Sequence, residues 1–197
     1  TVQRAEERVS KTNVQVVGID EPDVVKCNGR LMTVTSGSKV FVVGIAEKAV
    51  LGKLVFEEPV NGLFIHDNTL IVITQTAIYR PLEVQPNSTK QIFVVPAGVA
   101  NTTVYLYDLA EPRSPVLRGR VSVTGSVVSS RLNGKYLYVV TSMSIEGPVI
   151  PLVNGEALAI ESIGAVDLVP TSYTTILALD VEELKYSTYS FMTGSNS

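Results

Sequence analysis

The sequence has no tryptophan, one cysteine and one histidine among its 197 residues, and these shortages exclude several kinds of site. With Cys27 alone, the chain has no internal disulfide and no cysteine-based metal site. With His66 alone, it lacks the second histidine of a catalytic pair or of a zinc site built from histidines. No run of 18 apolar residues occurs, so the sequence predicts no membrane-spanning segment.

Charged residues are also scarce. They make up 18% of the chain, and the net charge is -3 at pH 7. The lysines and arginines are scattered and form no basic patch, which argues against nucleic-acid binding. The sequence contains no phosphate-binding loop, dinucleotide fingerprint or serine nucleophile elbow. We therefore expect no catalytic residues and no organic cofactor.

Apolar residues are abundant, at 45%, and valine, isoleucine, tyrosine and threonine are prominent among the strand formers. This composition is typical of half-buried β-strands and predicts an all-β fold. Each of three similar segments begins with a turn of Asn, Asp or Gly, which a tight hairpin requires. Aligned on the strand that follows, Leu31, Leu70 and Leu137 correspond. The segments are NGRLMTVTS at 28–36, DNTLIVITQ at 67–75 and NGKYLYVVTS at 133–142.

Each repeated segment has one apolar strand before it and two after it, so the repeating unit is four short antiparallel strands. Four-stranded units in series are typical of a β-propeller. Because a propeller ring needs about four blades, three units predict an incomplete portion of a larger propeller. We expect further blades of the same polypeptide, or neighbouring subunits, to complete it. The sequence predicts an N-terminal segment at 1–19 and blades at 20–59, 60–125 and 126–197.

Two insertions interrupt the regular spacing of the blades, at 76–100 and at 143–172. Asn87 and Asn101 begin acceptor sequons for N-glycosylation in or beside the first insertion, in surroundings that we expect to be loop-like. Two sequons so close together favour an exported glycoprotein. The second insertion is rich in apolar residues and poor in charge. It predicts either a hairpin packed over the propeller or an apolar surface for another subunit.

Three acids, Asp20, Glu21 and Asp23, are grouped around Pro22 where the chain enters the first blade. Carboxylates in such a group are suited to Ca²⁺, and contact with a partner protein is another possibility. A structural turn is the simpler interpretation, because proline fixes φ and aspartates accept backbone N–H bonds. Cys27 follows on an alternating strand, where we expect a small buried hydrophobe, with Lys26 on the opposite face.

The stretch TNVQVVGIDEPDVVKCNG at 12–29, followed by SGSKVFVV, resembles a family of secreted bacterial and archaeal proteins. Those proteins carry a β-propeller domain distantly related to WD-type repeats. The usual form there is close to T-N-x-Q-V-x-G-V-D-E-A-D-I-V-K-T-D-G, from which Pro22, Cys27 and Asn28 depart. The resemblance implies a propeller fold and export, and it implies no enzymatic activity. The matching residues are Thr12, Asn13, Gln15, Val16, Gly18, Asp20, Glu21, Asp23, Val25, Lys26 and Gly29.

The sequence therefore predicts an exported, non-enzymatic β-propeller portion that acts in protein interaction or assembly, outside the cell or at its surface. Two alternatives remain open. One is an enzyme or enzyme-accessory propeller whose central-channel site is completed by further blades. The other is a subunit of an extracellular filament or surface layer, in which an N-terminal segment pairs with the sheet edge of a neighbour.

Overall fold

The computed structural model describes residues 18–78, 99–145, 147 and 149–194. Antiparallel strands in three sheets account for almost all of the regular structure in these residues, and one short 3-10 helix lies at Ile160–Ser162. The predicted all-β class and the repeated unit of four antiparallel strands are therefore confirmed. The described residues include no helix that is both long enough and apolar enough to span a membrane.

Each sheet is built from four consecutive principal strands, and we call the sheets blades 1, 2 and 3 in chain order. The first strand of a blade forms its inner edge and the fourth forms its outer edge. Blade 1 contains β2 (Val25–Cys27), β3 (Leu31–Ser36), β4 (Lys39–Gly44) and β5 (Ala49–Val55). Blade 2 contains β6 (Val60–His66), β7 (Thr69–Ile78), β8 (Val99–Asp108) and β9 (Val116–Thr124). Blade 3 contains β10 (Ser126–Asn133), β11 (Tyr136–Ser144), β15 (Ser172–Asp180) and β16 (Lys185–Thr193).

Four shorter strands extend the second and third sheets. At the inner edge of blade 3, β1 pairs with β10, and at its outer edge β14 runs parallel to β16. At the outer edge of blade 2, β12 pairs with β9 and with β13. The four strands are β1 (Ile19–Asp20), β12 (Leu152–Val153), β13 (Glu156–Ala157) and β14 (Ile163–Ala165).

Blade 2 is packed between the other two blades, and β7 shows this most clearly. Successive side chains of a strand point to opposite faces of the sheet. Leu70 and Val72 join a cluster shared with blade 1, whereas Ile71 and Ile73 join a cluster shared with blade 3. All four side chains are at most 1% exposed, so both faces of this strand are buried.

The predicted correspondence of Leu31 with Leu70 and Leu137 is wrong by one residue at Leu31. A bond from Asn28 N to Leu31 O, 3.1 Å long, closes the first hairpin, so Leu31 occupies the position that Thr69 has in blade 2. A one-residue shift moves a side chain to the other face of a sheet. Leu31 therefore faces blade 2, and Leu70 faces blade 1, where both enter the same cluster.

In blades 1 and 2, a glycine of the outer strand packs against a turn of the next blade. Gly52 of β5 lies so close to the backbone carbonyl of Pro112 that a Cβ would collide with it. At Gly119 of β9, a Cβ would meet the side chain of Leu184 at 3.4 Å, which is an ordinary contact. Gly52 therefore lets blades 1 and 2 approach closely at their outer edges, whereas the contact between blades 2 and 3 at Gly119 has room for a Cβ.

The second insertion divides into a packed half and an exposed half. The β12–β13 hairpin covers the junction of blades 2 and 3, and Val153 is buried in the cluster between them. Asn154 at the tip of this hairpin accepts a bond from Ser122 N (2.9 Å) and donates one to Tyr186 Oη (2.9 Å), so it links both outer strands. Four apolar side chains further along are more than half exposed: Ile160, Val166, Leu168 and Val169.

We expect Gly52→Ala to lower the free energy of unfolding by about 1–3 kcal/mol, because the new methyl group collides with a backbone carbonyl. Gly119→Ala is the matched control, and its cost should be clearly smaller because only the end of a leucine side chain is near. Urea unfolding of both variants measures the difference. Equal costs would show that close contact with the Pro112 turn does not depend on Gly52.

Candidate functional site at the inner edges of the blades

The opening segment from Gly18 to Cys27 contacts the inner edge of all three blades in turn. Asp20 of β1 pairs with Leu132 of β10 in blade 3. Asp23 exchanges two backbone bonds with Leu63 of β6 in blade 2, at 3.3 and 2.9 Å. The segment then becomes β2, the inner strand of blade 1. Ten residues therefore tie three consecutive blades together.

The three acids of this segment bind different partners. Lys26 Nζ lies 2.7 Å from Asp20 Oδ1, and Arg131 Nη2 lies 3.0 Å from Glu21 Oε1. Asp23 Oδ1 accepts a 2.7 Å bond from the N–H of Val24, as in the predicted structural turn. No group of three His, Cys, Asp or Glu side chains among the described residues is placed to hold a metal ion.

Two of the three carboxylates are thus already paired with cationic side chains, and the acids fit a calcium ion poorly. A Ca²⁺ site at Asp20, Glu21 and Asp23 stays a prediction that these contacts do not favour.

Lys26 is buried, and its ammonium group is fully engaged. Besides Asp20, Nζ donates a 2.5 Å bond to Glu21 O and lies 5.6 Å from the centre of the Phe64 ring, a cation–π distance. The expected alternation of Lys26 and Cys27 is present, but the predicted burial of Cys27 is wrong, since Cys27 is exposed. The face that carries Lys26 meets blade 2, whereas no described blade covers the face that carries Cys27.

A cavity of about 250 Å³ lies between the inner edges of blades 2 and 3, and we call it the inner-edge cavity. Pro22 from the opening segment forms one wall, and its ring contacts Gly62, where a Cβ would stand only 2.6 Å from Pro22 Cβ. Ser130 also lines the cavity, and its hydroxyl is buried and has no hydrogen-bond partner among the described residues. The remaining lining residues are Asn61, Ile73, Val127, Val128, Ser129 and Arg131.

Polar bonds surround this cavity, and one of them joins blade 2 to blade 3. Gln75 Oε1 accepts bonds from Asn61 Nδ2 (3.2 Å) and from the backbone N–H of Val127 (2.9 Å). Arg131 Nη1 donates to Ser130 O at 2.7 Å and to Ser129 Oγ at 3.3 Å, while its other nitrogen binds Glu21. Sequence reasoning missed these residues. The one signal available was a single arginine in the serine-rich strand SVVSSRL.

Comparison with known proteins agrees with this geometry. A family model described as a β-propeller domain matches residues 9–197. The chain belongs to the β-propeller domain family. An uncharacterized protein of Methanocaldococcus jannaschii is 30% identical over 146 residues, which cover 73% of this chain and 19% of that protein. The chain thus spans about a fifth of the length of this curated relative.

At the other end of the inner and central strands, one ionic contact joins blades 2 and 3 of this β-propeller domain and another lies within blade 3. His66 Nε2 lies 3.2 Å from Glu182 Oε1, and Lys135 Nζ lies 2.8 Å from Asp180 Oδ2. The hydrogen bond from Lys135 holds the pKa of Asp180 below its usual range, and the backbone N–H groups of Glu183 and Glu182 act in the same direction. These contacts order a turn of blade 3 and bring no second histidine to His66.

The two sequons of this β-propeller domain lie in different places. Asn87 lies outside the described residues. Asn101 lies in β8 between Thr76 and Thr124 and is half-buried, and Thr103 of the same sequon is buried. The loop-like surroundings expected for Asn101 are therefore wrong, because β8 already begins at Val99. Glycosylation of Asn87 or Asn101 stays a prediction.

We expect Asp20→Asn to destabilise the domain by about 1–3 kcal/mol, because it leaves the buried ammonium of Lys26 without its counter-charge. Lys26→Met should cost less than this, since it removes the charge and keeps much of the apolar stem. The double variant should lose less free energy of unfolding than the two single variants lose together. A double-mutant cycle by urea unfolding measures this coupling. Additive losses would show that the ion pair does not hold the opening segment.

Proposed function

We propose that the chain is an exported, non-enzymatic part of a β-propeller that acts in protein interaction or assembly at the cell surface. The propeller fold in general suits protein interaction, and one observation supports this role for the chain in particular. Blades 1 and 3 each turn an apolar sheet face away from blade 2, and no described residue covers either face.

The outer face of blade 1 carries exposed valines among larger apolar side chains. Val50 and Val55 are 58% and 61% exposed. Strand register places them on the same face as Phe41 and Val43 of β4, opposite the side chains that pack on blade 2. Apolar patches of several hundred Å² on a soluble protein mark interaction surfaces. Covering about 400 Å² of such a face contributes roughly 10 kcal/mol at 25 cal/mol per Å².

The outer face of blade 3 is aromatic. Tyr138, Tyr189 and Phe191 are 40%, 59% and 37% exposed, and Ile176 pairs with Tyr189 across the β15–β16 ladder on the same face. Aromatic residues are enriched at the centres of protein interfaces, because they bury a large area for little lost side-chain freedom. This face suits a protein partner, whether that partner is another blade of the polypeptide or a separate subunit.

The exposed half of the second insertion supplies a third apolar surface, and it does not lie on a blade face. Leu168 and Val169 are fully or largely exposed and follow Val166, which is also exposed. Stacking of one blade on another would not cover the exposed side chains of this segment. It therefore supports contact with a separate protein, in addition to the packing of blade on blade.

We expect the wild-type chain to self-associate at micromolar concentration in sedimentation velocity, because both outer faces are apolar. Tyr189→Lys with Phe191→Lys should reduce this association if blade 3 drives it, and Leu168→Lys with Val169→Lys should reduce it if the insertion does. Glu111→Lys, at an exposed turn of blade 2, is the control for added positive charge. A monomeric wild-type chain that unfolds cooperatively with both faces bare would contradict the proposal.

Export is tested by the sugar content of the protein from its native source. We expect peptide mass mapping to find a glycan on at least one of Asn87 and Asn101, and the strand position of Asn101 favours Asn87. Asn87→Gln and Asn101→Gln, each made singly, should remove the corresponding mass. Two bare asparagines in native material would count against an exported protein.

A further inference from the structure

The hydroxyl of Ser130 is a polar group to which no described residue forms a hydrogen bond. The residue is 2% exposed and lies on the inner strand of blade 3, where it lines the inner-edge cavity. Its hydroxyl has no hydrogen-bond partner in the described part of the chain. Leaving a buried hydroxyl unpaired costs free energy that a satisfied one does not. A ligand in the cavity that bonds to this hydroxyl would remove the cost.

The cavity has polar groups but no unbalanced charge. Arg131 is neutralised by Glu21, and it already donates to Ser129 and to the backbone of Ser130. Asn61 lines the cavity and uses its Nδ2 to bind Gln75 Oε1, and no described residue hydrogen-bonds to its Oδ1. The lining residues thus offer one amide oxygen and one hydroxyl, and an uncharged amide supplies an N–H donor for the first and a carbonyl acceptor for the second.

The walls and size of the cavity further narrow the class of ligand. Ile73, Val127 and Val128 are apolar, and no aromatic ring of the described residues lines the cavity, so there is none on which a sugar would stack. A volume of about 250 Å³ is below the usual range for drug-sized ligands and fits one or two residues of a polypeptide. An asparagine or glutamine side chain with its own backbone amide meets both requirements.

We propose that the inner-edge cavity binds a neutral, amide-bearing segment of a partner polypeptide, with Ser130 as its central hydrogen-bonding group. The proposal rests on the proposed function as a protein-interaction domain and names the chemistry of one contact. The occupant enters between β6 and β10, and Pro22 of the opening segment forms the wall that it meets. Pairing of Arg131 with Glu21 keeps the site neutral, so a charged side chain is disfavoured.

The test uses N-acetyl-asparagine methylamide and N-acetyl-glutamine methylamide as probes, followed by NMR of the backbone amides. We expect shifts at Ser129, Ser130 and Arg131, with a dissociation constant in the millimolar range, as suits about a dozen non-hydrogen atoms. N-acetyl-aspartate methylamide, which has nearly the same shape and a negative charge, should bind at least about threefold more weakly than the asparagine probe. Glucose should cause no shift.

Ser130→Ala should weaken binding of the asparagine probe about tenfold and leave the melting temperature unchanged or raised, because it deletes an unpaired hydroxyl. Ser190→Ala is the matched control in the same sheet, since its buried hydroxyl bonds Thr175 at 3.0 Å. It should lower the melting temperature and leave probe binding intact. Val128→Trp, at an exposed position of the cavity wall, should block binding by filling the space.

Several outcomes would overturn the proposal. One is the absence of backbone amide shifts with either amide probe at about 100 mM, an order-of-magnitude ceiling for such small ligands. Another is a Ser130→Ala variant that binds the asparagine probe as tightly as the wild-type chain. A third is amide shifts caused by glucose alone. A fall in melting temperature for Ser130→Ala equal to that of Ser190→Ala would show that the hydroxyl has a partner in the folded chain. A wild-type chain that does not self-associate but still binds the asparagine probe would contradict the assembly proposal and leave the cavity proposal intact. The two failures are therefore distinguishable.

Discussion

The ion pair between the buried Lys26 and the partly exposed Asp20 is the interaction on which the arrangement of the three blades depends. It fixes the two ends of a short loop around Pro22, and the loop carries the backbone of Asp20 to blade 3 and that of Asp23 to blade 2. Lys26 needs this partner, because its buried ammonium would be poorly solvated alone. Phe64 and the carbonyl of Glu21 complete the surroundings of the ammonium. The first described residues of the chain thereby hold strands that come much later.

Outer-edge contacts complement these inner-edge ones. Gly52 admits the Pro112 turn, Gly119 lies against Leu184, and Asn154 bonds to strands of two blades at once. Consecutive blades are therefore joined at both edges, with an apolar cluster between them. A scaffold held in this way keeps the inner-edge cavity and the outer faces in defined positions, as recognition surfaces require.

The propeller architecture alone does not identify a function, because one fold supports many. The features that carry functional information here are groups that the described residues neither bury nor hydrogen-bond completely. They are the aromatic face of blade 3, the exposed apolar residues near Leu168, and the unpaired hydroxyl of Ser130. Each is a group whose burial or bonding is incomplete within the described residues. The proposed contact with another polypeptide would bury or bond all three, and the neutral chemistry of the cavity agrees with that proposal.

The sequence by itself determined the strands, their order and their grouping in fours, because alternation of apolar side chains and Asn/Asp/Gly turns act within a few residues. It did not determine which face is buried, since that depends on where the neighbouring blade lies. Lys26 is inside and Cys27 outside for this reason. Leu31 faces blade 2 because the turn that precedes it lies one residue later in the chain than the pattern implied. The partner of Glu21 is Arg131, more than a hundred residues away along the chain. The partner of Val153, from the insertion between two strands of blade 3, is Val123 in the outer strand of blade 2. Contacts of this kind leave no local periodic signal, so only the tertiary structure decided them.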